Sequence, residues 1–481
     1  MVTNWKRMQP SSILILFLSK IKEFIVPLFL SLFAGGYGSG YTVWLFPLLL
    51  LTLFGYCVLY WIFFQFSLEE QELRIKKGIF IKKNRYIQSR QVQSVAVHTT
   101  VIHRLFHTVK VKLETAGGGL EAEAELTAVS PETAKMIQAH FGSKEDMNFS
   151  DLSQSGETKL WNSHCNEENL VYTVPWNHII AAGATSGKIG IVFSAAAALF
   201  SQMDQFIPAE VYEDSYGALV SMGAFVLTAL FLGLAAVTWL ISIAVTFIQY
   251  GNFEIKKADN ELTITRGLLE RRQLTLKLDR ITSVRYITNP VRQGFGLWSI
   301  YVDSAGGGLQ EEQLSTILLP LGNKHQLQKL TNQLLPNMIY PEEVRPLPGR
   351  AARRYIFRTS IFWWLLLVPA VWLLPIGWVF IGVPALFTWL GWQRYKDGGI
   401  YFTTQHLVLQ NRGVNLYCNV IPHSCLQSAA VHQSYFQRRR NLCSISATVL
   451  TTSGGRHFQL KDLESRAENN ILRWLRSPFH S

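Results

Sequence analysis

Apolar residues in this chain gather into six long runs that come as three close pairs. The first pair covers roughly Ile13 to Phe33 and Thr42 to Phe66, the second Ile179 to Phe200 and Gly217 to Ile248, the third Ile356 to Leu373 and Ile376 to Trp392. A helix needs about 20 apolar residues to cross the hydrocarbon core of a bilayer, and the runs approach or exceed that length. The stretch from Tyr41 to Ser67 carries no charge, a profile foreign to the core helix of a soluble domain. Lys20, Lys22 and Glu23 interrupt the first run. One reading is an amphipathic start at the interface, its lysines reaching the headgroups, before a short span. The other is a cleaved signal sequence. The first is favoured, because Phe24 to Ala34 leads through a glycine-rich turn directly into the next run.

Between the pairs the period changes from helical to alternating. Glu72-Leu-Arg-Ile-Lys-Lys-Gly78 and Glu261-Leu-Thr-Ile-Thr-Arg-Gly267 alternate apolar with polar residues and end at a turn glycine, as half-buried strands do. Val109 to Leu113, Ser299 to Asp303 and Leu120 to Leu126 repeat that rhythm. Each polar region closes on a helix: Pro131 to Phe141 with Ser130 as N-cap, about Lys324 to Leu335, and Ser465 to Leu475.

The polar regions are copies of one another. Ala116-Gly117-Gly118-Gly119-Leu120 recurs as Ala305-Gly306-Gly307-Gly308-Leu309, 189 residues further on. At the same spacing Leu73 matches Leu262, Gly78 matches Gly267, and Ser94-Val95 matches Ser283-Val284. A more diverged third copy begins at His406, with Gly413, Gln427-Ser428 and Ser453-Gly454-Gly455 in the corresponding places.

This plan, and the Leu-x-Ile-x-x-Gly strand, the Val92-Gln93-Ser94-Val95 segment and the Ala-Gly-Gly-Gly turn within it, resembles the YdbT-like bacterial membrane proteins. Their soluble part belongs to the bacterial pleckstrin-homology (PH) group. The resemblance implies a membrane α + β fold: three transmembrane helical hairpins, each followed by a small PH-like β-barrel or sandwich with a C-terminal capping helix. Hairpins are then expected at residues 1–66, 178–249 and 355–393, and PH-like domains at 67–141, 250–336 and 394–481. Linkers fall at 142–177 and 337–354, the first of them polar, acidic and expected to let the first domain move. The resemblance also implies a cell-envelope role and a shorter single-unit relative as a candidate partner.

Charge sets the expected orientation. The three hairpin loops, Gly35 to Gly40, Ser201 to Tyr216 and the turn at Pro375, contain no Lys or Arg, whereas the opposite flanks are basic. Basic flanks stay in the cytoplasm, which puts both termini and all three PH-like domains on that side of the inner, or plasma, membrane. Only 16% of the 481 residues are charged, against roughly 25% in soluble domains. Lys and Arg outnumber Asp and Glu by 45 to 33.

No catalytic constellation emerges, and no enzyme activity, cofactor or metal is expected. Cys418, His423, Cys425, His432 and Cys443 match no compact zinc spacing. The glycine triplets precede strands, so they read as turns rather than phosphate loops. His98, His103 and His107 fall in an expected loop. Lys188 is the one charge near the middle of a run, beside the small-residue pair Gly183 and Gly187; close helix packing is the direct reading, and a transporter the alternative one. Basic clusters remain: Lys76, Lys77, Lys82, Lys83 and Arg85; Arg271, Arg272 and Lys277; Arg438, Arg439 and Arg440. Beside an anionic leaflet each such charge contributes about 1 kcal/mol, so anionic lipid is the expected partner, with protein partners at free strand edges and a homo-oligomer also open. Nucleic acid is not expected, since no aromatic side chains interleave with these charges.

Overall fold

The computed structural model describes residues 5–21, 40–69, 72–78, 81–88, 92–115, 124–141, 170–186, 194, 224–258, 260–305, 316–336, 338, 344–373, 377–403, 405–451, 454–465 and 473–474. Three units follow one another with the same order of elements. The first runs β1 (Lys6–Arg7), α1 (Ser11–Ile21), α2 (Gly40–Phe63), β2 (Gln65–Leu68), β3 (Glu72–Lys77), β4 (Lys83–Gln88), β5 (Val92–Thr99), α3 (Val101–Leu105), β6 (Val109–Thr115), β7 (Ala124–Val129) and α4 (Pro131–Phe141). The second runs β8 (Leu170–Thr173), α5 (Trp176–Ala184), α6 (Ala224–Tyr250), β9 (Glu254–Ala258), β10 (Glu261–Arg266), β11 (Arg271–Lys277), β12 (Ile281–Thr288), α7 (Pro290–Gly294), β13 (Leu297–Ser304), β14 (Thr316–Asn323) and α8 (Lys324–Leu334). The third runs β15 (Arg345–Pro346), α9 (Gly349–Leu373), α10 (Gly382–Lys396), β16 (Gly399–Phe402), β17 (His406–Arg412), β18 (Leu416–Pro422), β19 (Leu426–His432), α11 (Tyr435–Arg438), β20 (Leu442–Thr451) and β21 (Gly454–Glu464).

Each unit starts one strand earlier than the hydropathy pattern suggests. The short strand before the helices pairs antiparallel with the strand after them: Lys6 faces Phe66, Thr173 faces Glu254, and Arg345 faces Ile400. The helices therefore occupy the place of the turn in a β-hairpin, and their two feet stand about one strand spacing, ~4.8 Å, apart. The last residues of the expected 142–177 linker accordingly form β8 and the start of α5 rather than loose chain, because the backbone edge of β9 offers them hydrogen bonds.

α6 and α9 are long and apolar enough to cross a membrane, whereas α1 and the apolar part of α2 are shorter among the described residues. In the third pair Trp363 stacks on Phe387 at 4.4 Å, and Gly391 sits where a Cβ would come within 2.8 Å of Ile356 Cα. In the second, Gly183 approaches the Ile243 backbone and the Thr246 side chain of α6. The run expected from Ile179 to Phe200 is not one helix in its described part. α5 ends at Ala184, and Arg292 and Asn289 donate to the released carbonyls of Ala182 (3.0 Å) and Thr185 (2.6 Å).

The sheets do not respect unit boundaries. β1–β4 form a sheet of the first unit alone. β5–β7, however, continue into the second unit in the order β7-β6-β5-β11-β10-β9-β8, and the arrangement repeats as β14-β13-β12-β18-β17-β16-β15. β19–β21 end the series as a three-stranded sheet. Two joints, β5 on β11 and β12 on β18, thus bind neighbouring units by main-chain hydrogen bonds. They share one register, Val95 opposite Thr275 and Val284 opposite Val420. Equivalent bulges, at Val92/Ser94, Ile281/Ser283 and Leu426/Ser428, recur in all three units where these strands pair with the next strand of their own unit. The first unit is hence locked to the second, contrary to the mobility expected of it.

The hydrophobic core follows the sheets. One cluster fills the second unit and takes in Ala96 from the first and Val408, Cys418 and Val420 from the third; the outer units have clusters of their own. The turn glycines Gly78 and Gly267 have φ of +116° and +101°, and a Cβ on either would strike the carbonyl oxygen of Ile81 or Glu270. The N-cap expected at Ser130 is present, its hydroxyl accepting from the Thr133 amide at 3.2 Å. The last helix, expected over Ser465 to Leu475, lies outside the described residues except for Ser465, Arg473 and Trp474.

The second and third units also share a buried charge. Asp303 is fully buried, accepts from Ser283 Oγ at 2.6 Å, and faces Arg285 at 3.1 Å and Arg456 of the third unit at 2.7 Å. Removing one member of a buried ion pair strands the other, at a cost of about 3–5 kcal/mol. Asp303→Ala is therefore expected to lower stability by about that amount and to speed amide exchange in β12, β20 and β21, whereas the exposed-side Asp279→Ala is not. Equal thermal unfolding midpoints for the two variants would contradict this.

Candidate functional site: basic tips at the feet of the helices

Much of the basic charge lies around the turn between the third and fourth strands of a unit and at the short helix beyond. In the second unit this turn, Gly267 to Glu270, is fastened to the foot of α6. Gly267 N donates to Gly251 O at 2.7 Å and Leu268 N to Ile248 O at 3.0 Å. Gly251 is glycine because a Cβ there would run into the Leu268 side chain. In the third unit Arg394, at the foot of α10, donates to Gly413 O at 3.0 Å, and the adjacent Arg412 pairs with Asp397. The turns are thus held at the level where the apolar helices meet the sheets.

At these tips large apolar side chains are exposed beside the charges: Ile81, Leu269 and Val414 on the turns, and Val101, Leu105, Val291, Phe295, Tyr435 and Phe436 on or next to the short helices α3, α7 and α11. Lys82 and Lys83 are exposed at the start of β4, with Arg85 half-buried on the same strand. Lys76 and Lys77 are half-buried at the end of β3, Lys76 Nζ lying 3.9 Å over the Trp5 ring. Arg438, at the end of α11, and Arg439 and Arg440 just after it are exposed, Arg439 over the Tyr435 ring at 4.9 Å.

The second cluster differs from expectation. Arg271, Arg272 and Lys277 are half-buried on β11, the strand that carries the first joint. Lys277 lies opposite Glu261, at the end of β11 away from the turn. Arg272 lies 3.3 Å from Glu270, which also stands 3.7 Å from Nδ1 of His98 on β5. The His98 contact and Arg272 together draw the Glu270 carboxyl down to about 2, and burial draws the His98 imidazole below its ordinary value. Beside them Arg104 donates across the joint to Leu268 O at 3.1 Å; in the second joint Gln293, at the equivalent place, accepts from Arg412.

The histidines are not the loop residues expected from sequence. His98 is a buried strand residue; His103 caps the turn of α3, its ring nitrogens 2.6 Å from Thr100 Oγ1 and 2.9 Å from Thr127 O; only His107 is a turn residue, at φ +49°. Cys418 and Cys443 are buried on different strands, and Cys425 Sγ points at Ile281 O. Among the described residues no group of three or more His, Cys, Asp or Glu is placed to hold a metal. Gly187 and Lys188 lie outside the described residues.

A buried carboxylate ties the third helical pair to its sheet. Asp462 meets Arg354 at 2.9 Å and Arg358 at 3.3 Å, both from the basic first turns of α9, and accepts from Gln437 of α11 at 2.9 Å. The arginines that sequence marks as topology signals are in this way also mechanical links. Sequence reasoning passed over Asp462 and Asp303, which sit singly in strand patterns without any spacing signal.

Membrane-foot helices carrying repeated seven-strand β units with a capping helix define a class, and the bacterial PH domain profile matches residues 15–145, 215–338 and 361–478. The chain belongs to the bacterial PH domain family. Over 98% of its length it is 31% identical to the UPF0699 transmembrane protein YdbT of Bacillus subtilis (strain 168), of which it covers 98%. It is a membrane protein with three PH repeats.

The first joint should weaken in acid. His98, with its folded value lowered, favours the folded state above pH ~6.5 and loses that contribution as the unfolded chain takes up protons below it. Glu270 follows, its contribution vanishing between about 4.5 and 2. Amide protection in β5 and β11 is expected to fall from pH 7 to pH 4, and His98→Gln to remove the upper part of that fall. Protection independent of pH over this range would be incompatible with the pairing.

Proposed function

We propose that the chain is a non-catalytic platform that holds a continuous row of PH units against the cytoplasmic face of the inner membrane. Three helical hairpins are the tethers, including the first pair and the second pair's leading run, where the described helices are short. The basic tips around Lys82, Lys83, Arg85, Arg271, Arg272, Arg438, Arg439 and Arg440 meet anionic headgroups, and their apolar neighbours enter the interface. A role in cell-envelope maintenance or stress is part of this proposal, and the match to a transmembrane protein supports only its seat in a membrane.

The attachment of the 267–270 turn to Gly251 and Ile248 at the foot of α6 carries this reading. A basic tip fixed to the emergence point of an apolar helix has no route away from the headgroup layer. Exposed aliphatic and aromatic side chains next to Lys and Arg match that layer, where amphipathic groups are favoured and basic ones gain about 1 kcal/mol each.

The test uses the full chain in nanodiscs of phosphatidylcholine alone or with one third phosphatidylglycerol. Amide exchange at the 267–270 turn, α3 and α11 should slow several-fold with the anionic lipid, and the difference should shrink from 50 to 500 mM salt. Replacing Arg438, Arg439 and Arg440 together by Gln should abolish it at α11 alone. No lipid dependence at any tip would refute headgroup contact, and tips labelled from the periplasm by a membrane-impermeant reagent would refute the orientation.

A further inference from the structure

The three units make two joints, and half of a third joint is left at each end of the chain. β4 occupies in the first unit the position of β11 and β18: Leu73 faces Ile87 as Leu262 faces Leu276 and Leu407 faces Ile421. β19 occupies in the third unit the position of β5 and β12, down to the same bulge. β4 and β19 are the end strands of their separate sheets, and neither has a joint partner among the described residues. We propose that β19 of one molecule pairs antiparallel with β4 of a second copy, continuing the row head to tail.

The occupant is argued from the strands themselves. β5 reads Val92-Gln-Ser-Val-Ala-Val-His98 and β19 reads Leu426-Gln-Ser-Ala-Ala-Val-His432. A strand of this sequence is thus already seated on a β11-type edge within the chain. The two copies differ in burial. Ser94, Ala96 and His98 are 3%, 1% and 4% exposed inside the first joint, whereas Ser428, Ala430 and His432 are exposed. Likewise no residue of β11 is exposed, but Lys83, Asn84, Tyr86 and Gln88 of β4 are. An uncovered strand edge is a template for another strand, and here the chain supplies the complementary edge at its other end. The α11 tip completes the match: Arg438 holds the place from which Arg104 and Gln293 reach across the internal joints.

The internal register fixes the external one. Val95 opposite Thr275 and Val284 opposite Val420 translate into Ala429 opposite Tyr86 of the second copy. The interface is heterologous, so it generates rings or open rows rather than two-fold dimers. Like charges flank it, Lys82 and Lys83 on one side and Arg438 to Arg440 on the other. At 0.15 M salt the screening length is ~8 Å, so the joint is tested at that ionic strength.

Directly opposed positions of antiparallel strands lie within disulfide reach. Full-length Ala429→Cys and Tyr86→Cys variants, carrying different tags and made in a Cys425→Ser background, are co-expressed and oxidised in native membranes. A disulfide-linked heterodimer is expected, at least tenfold above that from Ala429→Cys with Arg85→Cys, whose side chain falls on the opposite face of β4. Mass photometry of the unmodified protein in nanodiscs should show species larger than one chain. Equal yields from the two pairings, or a monomer at all concentrations, would overturn the proposal. So would crosslinking of Ala429→Cys to a different protein without the homotypic product. Because the readout is strand register, its failure leaves the headgroup contact standing, and a loss of lipid dependence leaves this joint standing.

Discussion

Main-chain pairing between units is the interaction on which this architecture rests. A small PH unit closes its sandwich with two short sheets and leaves strand edges uncovered. Here β5 lies on β11 and β12 on β18, so each of those edges is satisfied by the next unit. Backbone groups are indifferent to side-chain identity, which lets diverged repeats keep one geometry. Side chains add contacts across the joint, such as Arg104 donating to the Leu268 carbonyl. The core is consequently continuous across the boundaries, and the second unit cannot be excised without exposing apolar residues of its neighbours.

A second constraint couples this row to the membrane. Each helical pair is inserted between two paired strands, and in the second and third units the helices are clasped again from the side. Arg292 and Asn289 hold the end of α5, Arg394 holds Gly413, and Asp462 gathers Arg354 and Arg358. A tilt of a helix foot is therefore felt at a strand or a short helix of the same unit, and through the joints by the next one. This distinguishes the molecule from domains hung on flexible tethers. On the proposed reading its tips would act as one surface, and multiple weak headgroup contacts on a rigid row would add without the entropic loss of ordering each unit separately.

Much of this was legible in the residues. The alternation in Glu72 to Lys77 and Glu261 to Arg266, the turn glycines Gly78 and Gly267 and the cap at Ser130 all appear where their local chemistry puts them. The basic clusters were legible as charges but not as places. Arg271 and Arg272 read like Lys82 and Lys83 in sequence, yet the former are half-buried on a strand paired across a joint and the latter lie on an exposed edge. Burial on both faces leaves β5 with small and apolar residues at nearly every position, a signal that reads equally as a short core segment. His98, expected in a loop, shows the consequence: its environment comes from Glu270 and Arg272, 172 and 174 residues away.

Local order was decided by the sequence alone, because periodicity, turn glycines and caps act over a few residues: which stretches are apolar helices, which are strands, and that one unit occurs three times. Which unit pairs with which was decided only in three dimensions. A strand edge carries no label in sequence, since its donors and acceptors belong to the backbone, and the partner that covers it is set by where the helix feet and bulges place the sheets. For the same reason β5 and β19, nearly the same string of residues, are buried strand and exposed edge in one chain.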